Sequence, residues 1–423
     1  MGSSLENLET VVSYIYTKAG KALSETRTDE NASWITEYVY DTAGRIESVK
    51  HSKTDKYGQA LSQPITQKYE YAQTATGNDF TAISPEGNRT VVSYDRWNRV
   101  TDIKNALDEK SHRTLSSAGR TVKEESSHGG LYTYGYDRAG NLASLGEENK
   151  KQVKVAYNPD GSVKSVTDRL GNVTTYEYDE QGLLVKEISP SATTVYTYDK
   201  AGRVTSVIAG EGSNPTKTNC TQYLEYEYLD NGRKAVVKAG GLYETTYTLN
   251  AWGEVVAVTD GEGNSRRYEY DNIGRTKAAY DGYGSKYEYA YNAVGRVSKI
   301  VAPDGAKKSY EYNELYQVTK ATDGEGTFFE GTYNRDGLLI AEKARPGVDK
   351  EYRYDKLGRI VELKTGGEVT ERYSYTTKGR TVTFTDGKGS DYVYSYNEFG
   401  RLVSEKNRID GTQVNPKRLD CVG

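Results

Sequence analysis

The sequence predicts an all-β protein: a repeat of 21-residue β-hairpins forming a long, curled β-sheet spiral, of shell or solenoid type. Three observations carry this. A tyrosine-led motif returns at a fixed step. With the residue after its second tyrosine taken as an anchor, the anchors from Leu229 run Asn250, Asp271, Asn292, Asn313, Asn334, Asp355, Thr376 and Asn397, each 21 residues on. Glycine sits three residues after most anchors, and a second glycine follows about ten residues later, so each unit holds two turn signals. Nothing in the 423 residues has helical periodicity of useful length.

Upstream of Leu229 the anchors are Asp199, Asp179, Asn158, Asp137, Ser116 and Asp95, mostly 21 apart, and then Ala72, Asp41 and Thr17 at irregular spacing. The expected organisation is a single repeat array over 1–423. It has irregular early repeats over 1–94, regular repeats over 95–406 with an insertion near 205–222, and a C-terminal tail over 407–423. The insertion is placed in a surface loop around Gly210-Glu211-Gly212-Ser213-Asn214-Pro215.

The elements of one unit follow in order. Asp/Asn-x-x-Gly suits a type I turn closed by a left-handed residue, with the anchor side chain accepting from backbone N–H groups just ahead of it. After Asp95 the closing residue is Asn98, the best non-glycine for that conformation, whereas Ala75 and Tyr316 break the pattern. A run rich in Val and Ile comes next, such as Val255-Val256-Ala257-Val258, then the second turn, then Tyr-x-Tyr, as in Tyr176-Glu177-Tyr178. The two rings of Tyr-x-Tyr project from one face of the strand. The apolar residues of the other strand fall five and eight places after the anchor: Val204 and Val207, Val297 and Ile300, Ile360 and Leu363. An odd separation cannot put both on one face of a regular strand. Either a bulge intervenes or both faces are partly covered. A twisted ribbon of this many strands is expected to wind rather than stay flat.

Composition agrees. There are 39 Tyr and 43 Gly against 5 Phe, 3 Trp and 1 Met, so tyrosine must carry much of the burial. Mean hydropathy is −0.80, yet the wealth of aromatic and β-branched residues argues against disorder. Net charge is −4, from 56 basic and 60 acidic residues mixed along the chain, which excludes charge-driven nucleic-acid binding. No apolar run is long enough for a membrane span. Met1-Gly2-Ser3-Ser4 lacks a signal-peptide core. Cys220 and Cys421 are too few for a disulfide framework or zinc site, and two free thiols are favoured over one bridge.

No chemistry stands out. His51, His112 and His128 share no metal-ligand spacing. Glycine strings such as Gly261-Glu262-Gly263-Asn264 lack the helix and Lys-Ser/Thr of a phosphate loop, and they read as turns. Calcium-binding β-roll repeats need tandem glycines at nonapeptide spacing. No catalytic, cofactor-binding or metal-binding residue is nominated, and no cofactor is expected. The basic residue after the turn glycine (Arg45, Arg203, Arg233, Arg275, Arg296, Arg359, Arg401) is expected to pair with a carboxylate of the neighbouring repeat and stack on a tyrosine, rather than to bind anions.

Tyr40-Asp41-Thr42-Ala43-Gly44-Arg45, Tyr198-Asp199-Lys200-Ala201-Gly202-Arg203, Tyr270 to Arg275 and Tyr354 to Arg359 resemble the repeats of the RHS or YD-repeat family. That family includes bacterial polymorphic toxins, insecticidal Tc toxin C subunits, wall-associated proteins and teneurins. The resemblance spans almost the whole chain. It implies a non-enzymatic β-strand shell of a secreted or surface bacterial protein, enclosing or displaying another polypeptide such as a toxin domain. Its partners would be that cargo or neighbouring domains of the same parent protein. Toxin members also carry an Asp-Pro-x-Gly core with catalytic aspartates. No Asp-Pro pair occurs here, so autoproteolysis and toxin activity are not carried over, and a fragment or a repeat-only member is expected. The alternative is an extracellular module binding cell-surface glycans, for which Trp34, Trp97 and Trp252 are the residues to test.

Overall fold

The computed structural model describes residues 11–345, 347–376, 380–407 and 413–414. Among them 37 strands are assigned, all in one antiparallel sheet, with one short 3-10 turn at Asp230–Gly232. Strands pair with their neighbours in sequence, so the hairpin repeat expected from the motif is the repeat observed. Contacts group the chain into two units. The first comprises residues 1–131, 290–301 and 305–423, and the second residues 132–289 and 302–304.

One hairpin of the second unit shows how the motif builds the sheet. Ser265–Tyr270 and Thr276–Tyr280 are its strands. The Asp271 N–H donates to the Arg275 carbonyl at 2.8 Å, and the Gly274 N–H to the Asp271 carbonyl at 3.1 Å. The Asp271 carboxylate then accepts the N–H groups of Ile273 and Arg275 at 3.0 and 2.9 Å. Gly274 sits at φ +83°, where a Cβ is disfavoured.

Just beyond this loop the two strands fall one residue out of step. Tyr270 lies opposite Thr276, but Glu269 lies opposite Ala278, so Lys277 is the extra residue of a β-bulge. The slip resolves the odd spacing in the sequence. Tyr268 and Tyr270 share a face, and their partners, eight and five places after the anchor, share it too. The same holds for Tyr196 opposite Val207 with Tyr198 opposite Val204, and for Tyr352 opposite Leu363 with Tyr354 opposite Ile360. Of the two explanations left open by the sequence, the bulge is the one observed.

Ala72 and Leu229 have no side-chain acceptor at the anchor, and neither hairpin slips register. Ala72 stays in a strand opposite Asp79, and the turn moves on to Thr74–Gly77. Leu229 pairs directly with Lys234 across a turn with Asp230 and Asn231 at φ +49° and +57°. Tyr316, by contrast, keeps the turn despite replacing glycine: Asn313 anchors it and Tyr316 takes φ +63°. In the inserted segment a strand ends at Gly210 and the next begins at Gln222.

Second tyrosines of the pairs join successive hairpins. The sheet ladder into the next hairpin holds Ala257, Val258 and Thr259, and stops short of Val255. The Val255 carbonyl instead receives the Tyr270 hydroxyl at 2.6 Å. Tyr157, Tyr178, Tyr312, Tyr333, Tyr354 and Tyr375 each donate likewise to the carbonyl 15 residues back. Tyrosine here supplies apolar area with its ring and closes the end of a ladder with its hydroxyl, which phenylalanine cannot do.

Replacing Tyr270 with Phe removes that donor and keeps the ring. The expected cost is about 1 kcal/mol, read as an approximately fivefold faster amide exchange around Val255 and Thr276. Unchanged exchange there would show that the hydroxyl contributes nothing.

Candidate functional site

The motif residues that look like a functional signature are occupied in building turns. Arg45, Arg99, Arg203, Arg275 and Arg359 each donate through Nε to the anchor carboxylate of their own turn, at 2.7–2.8 Å. This corrects the expectation of a partner in the neighbouring repeat. What does reach the next repeat is the guanidinium plane. Arg45 lies over the Tyr71 ring at 4.2 Å, Arg203 over Tyr228 at 4.3 Å and Arg359 over Tyr375 at 4.0 Å. Each such stack contributes about 0.5–1 kcal/mol at partly exposed sites. Arg233 departs from the set and donates to the Asp230 carbonyl.

Hydrogen bonds hold Asp41 and Asp95 ionised. The backbone N–H of Arg45 and then its guanidinium keep Asp41 below the ordinary carboxylate range, and the Arg99 guanidinium does most for Asp95. Tyrosines shift the other way. Burial, followed by a hydrogen bond to Glu342, pushes the Tyr352 hydroxyl up to about 12, and Tyr373 reaches about 12 through burial and Glu371.

Polar groups converge at a seam inside the first unit. Turns from the early repeats lie against turns of the later ones at a separation of 252 residues, as in Ser62 with Glu314, Ser84 with Asp336 and Arg380 with His128. The geometry is the same throughout. A second turn of one repeat meets the first turn at the anchor twelve places on, with Ser84, after Ala72, meeting Asp336, after Asn334.

Trp34 anchors this seam. Its indole N–H donates to the Asn313 carbonyl at 3.1 Å, and with Ala32 and Ala293 it forms a buried cluster flanked by Val294 and Tyr316. Lys53 lies over the Trp34 ring at 4.9 Å while donating to the Tyr312 carbonyl at 2.6 Å. Burial lowers the Lys53 pKa. One oxygen of the buried Asp29 accepts from Asn31 and Ala32, and the other from Ala293 at 3.0 Å. Further along, Asp336 accepts from the Ser84 and Asn88 side chains and the Glu86 N–H, beside a groove of about 810 Å³. These groups bind backbone and hydroxyls. No nucleophile with an adjacent base is among them.

The sequence candidates are dispersed. Trp34 is only 6% exposed, so it is not available to stack on a sugar, contrary to the glycan-binding expectation. Trp97 and Trp252 are exposed, Trp97 with Arg96 and Arg99 over its ring. His51 is bonded to Thr36 and has its pKa lowered by burial, His112 contacts Asp102, and His128 gives its carbonyl to Arg380. Among the described residues no group of three His, Cys, Asp or Glu side chains is placed to hold a metal. Cys220 is unpaired, and Cys421 lies outside the described residues. The seam itself was missed by sequence reading. Its one sequence signal is Tyr316 where a turn glycine belongs.

Comparison with known proteins agrees with the geometry. The RHS Repeat family model matches residues 157–194 and 291–327. Double-stranded DNA deaminase toxin A of Burkholderia cenocepacia (strain H111) is 26% identical over 194 residues, 45% of this chain and 12% of that protein. The crystal structure of TcdB2–TccC3–TEV superposes on 93% of this chain with a TM-score of 0.68 at 13% identity, and this chain covers 24% of its length. A Photorhabdus luminescens Tc holotoxin pore carrying a TccC3 mutation gives 0.61 at 12% identity, over 92% of this chain and 26% of that one. The fold is that of these Tc structures, and the chain spans about a quarter of their length and 12% of the length of the curated relative.

The Asp41, Asp95, Asp137 and Asp199 carboxylates are depressed in the fold, so their stabilisation is present above the unfolded value of about 4 and is lost as pH falls through the folded values. Tyr352 and Tyr373 are raised, so their contribution is complete below about pH 10 and is lost as pH rises toward about 12. Melting temperature against pH is therefore expected to be flat between these limits and to fall outside both, with the alkaline fall weakened in Tyr352→Phe. Trp34→Ala is expected to cost about 3–5 kcal/mol and to raise amide exchange in 29–36 and 312–316 together. Exchange rising in the first segment alone would refute the seam as a cooperative contact.

Proposed function

Taking the chain as an RHS-repeat protein, we propose that it is a non-enzymatic wall segment of a secreted or surface-exposed bacterial protein, which encloses or displays another polypeptide. The observation that carries this reading is how the motif is used. Anchor, glycine, arginine and tyrosine are all consumed in turns, stacks and ladder ends, which leaves structure as the product of the repeat. The fold match to Tc toxin structures supports it. Among the described residues no helix is long and apolar enough to cross a membrane. The partners proposed are a polypeptide cargo or neighbouring domains of the same parent protein.

The test is protease protection. A protease-labile reporter joined after Gly423 is expected to survive treatment that degrades the free reporter, and to become cleavable when Trp34→Ala loosens the seam. A reporter cut at the free rate in the unaltered protein would sink the enclosing role. It would leave a displaying scaffold, recognised by antibody access to the intact reporter.

A further inference from the structure

The fourth residue after each anchor fills a slot against the next repeat. Arg45, Arg203 and Arg359 lie there over the second tyrosine of the following repeat. Lys21 and Gln317 reach the same place and donate to the carbonyl of the next turn's glycine, Gly44 and Gly337. The slot thus takes a donor. From Thr17 to Asn397 the residue at this position is acidic after Asn250 alone, where it is Glu254.

Glu254 occupies the slot and reverses its chemistry. A Cβ at Gly274 would stand 2.7 Å from Glu254 Oε1, so the carboxylate lies against the next turn. Its Oε2 accepts from the Asn250 amide at 2.6 Å. That pairing alone is a turn device, since Asn105 and Glu109 share it. What sets Glu254 apart is its surroundings. Among the described residues no basic side chain pairs with Glu254, and none lies over the Tyr270 ring. The ring is held in place by its hydroxyl bond to Val255. Trp252, Glu254, Tyr268, Tyr270 and Ile273 line a groove of about 810 Å³. A carboxylate and ring faces both favour a cation, and a guanidinium most, because it stacks and donates at once. The groove is larger than one guanidinium, and Trp252 and Ile273, 88% and 74% exposed, offer apolar surface to a residue beside it.

We propose that the Asn250 turn binds an arginine side chain of a partner polypeptide. Its guanidinium lies over Tyr270 and against Glu254, supplying from outside the contact that Arg45, Arg203 and Arg359 make within the chain. The inference goes beyond the wall role and does not rest on it.

Titration of the full chain with an acetylated, amidated Gly-Arg-Leu-Gly peptide tests it, read from the indole N–H signals. The Trp252 signal, assigned through Trp252→Phe, is expected to shift while that of Trp34 stays. The same peptide with citrulline for arginine is expected to bind about tenfold more weakly, as is the arginine peptide to Glu254→Gln. Free arginine, without a neighbouring residue, is also expected to bind more weakly. Glu254→Arg fills the slot from within, so it is expected to abolish binding and raise the melting temperature, a gain that a damaged fold would not give. A Trp252 signal that does not move, equal affinity for the citrulline peptide, or undiminished binding by Glu254→Arg would each overturn the proposal. Free arginine binding as tightly as the peptide would overturn the polypeptide partner.

Discussion

The anchor side chain is the constraint on which the rest depends. By accepting the N–H groups two and four residues ahead, it fixes a five-residue loop; just beyond the first-turn loop a bulge puts the strands one residue out of register, whereas the same loop at Asp260 and Asp281 leaves them in step. Without the slip, residues five and eight places after the anchor would lie on opposite faces. With it, they stand across from the two tyrosines. The anchor thus places the turn, and the bulge beside it decides which side chains share a face over two strands. Ala72 and Leu229, which cannot make those bonds, mark where the rule lapses.

Repetition converts this local device into a sheet. Arg45, Arg203 and Arg359 are tied to their own turns and lie over the tyrosine of the next repeat, while second tyrosines such as Tyr270, Tyr354 and Tyr375 reach back to a carbonyl of the previous hairpin. Contacts therefore run both ways along the chain and need no thick core. The fully buried set is small and rich in alanine, as suits a layer whose rows are half-covered by their neighbours.

Much of this was legible in the sequence because the 21-residue period is long and regular, and because glycine and anchor residues have specific backbone consequences. The odd spacing of Val204 and Val207 announced a bulge or a second covered face, and only the strand register chose. The arginine partner was misread because sequence offset alone does not distinguish a carboxylate four residues back from one in the next hairpin. The seam was illegible for another reason. It joins residues 252 apart, and nothing in Trp34 or Asp29 says which distant turn they meet. Tyr316 was the trace it left, a bulky side chain held in a left-handed conformation at about 1–2 kcal/mol so that its ring can face the Trp34 cluster.

A contact set by counting hairpins has a consequence for how such a chain can change. The loop 211–221 lengthens one hairpin without altering the number of hairpins between Trp34 and Asn313, so it is invisible to the pairing. Removal of one whole repeat from that interval would bring Trp34 opposite the turn of Asn334, where Gly337 takes the place of Tyr316. Loop length is thus free to drift, whereas repeat number behaves like a reading frame: one unit gained or lost mismatches every downstream pair at once.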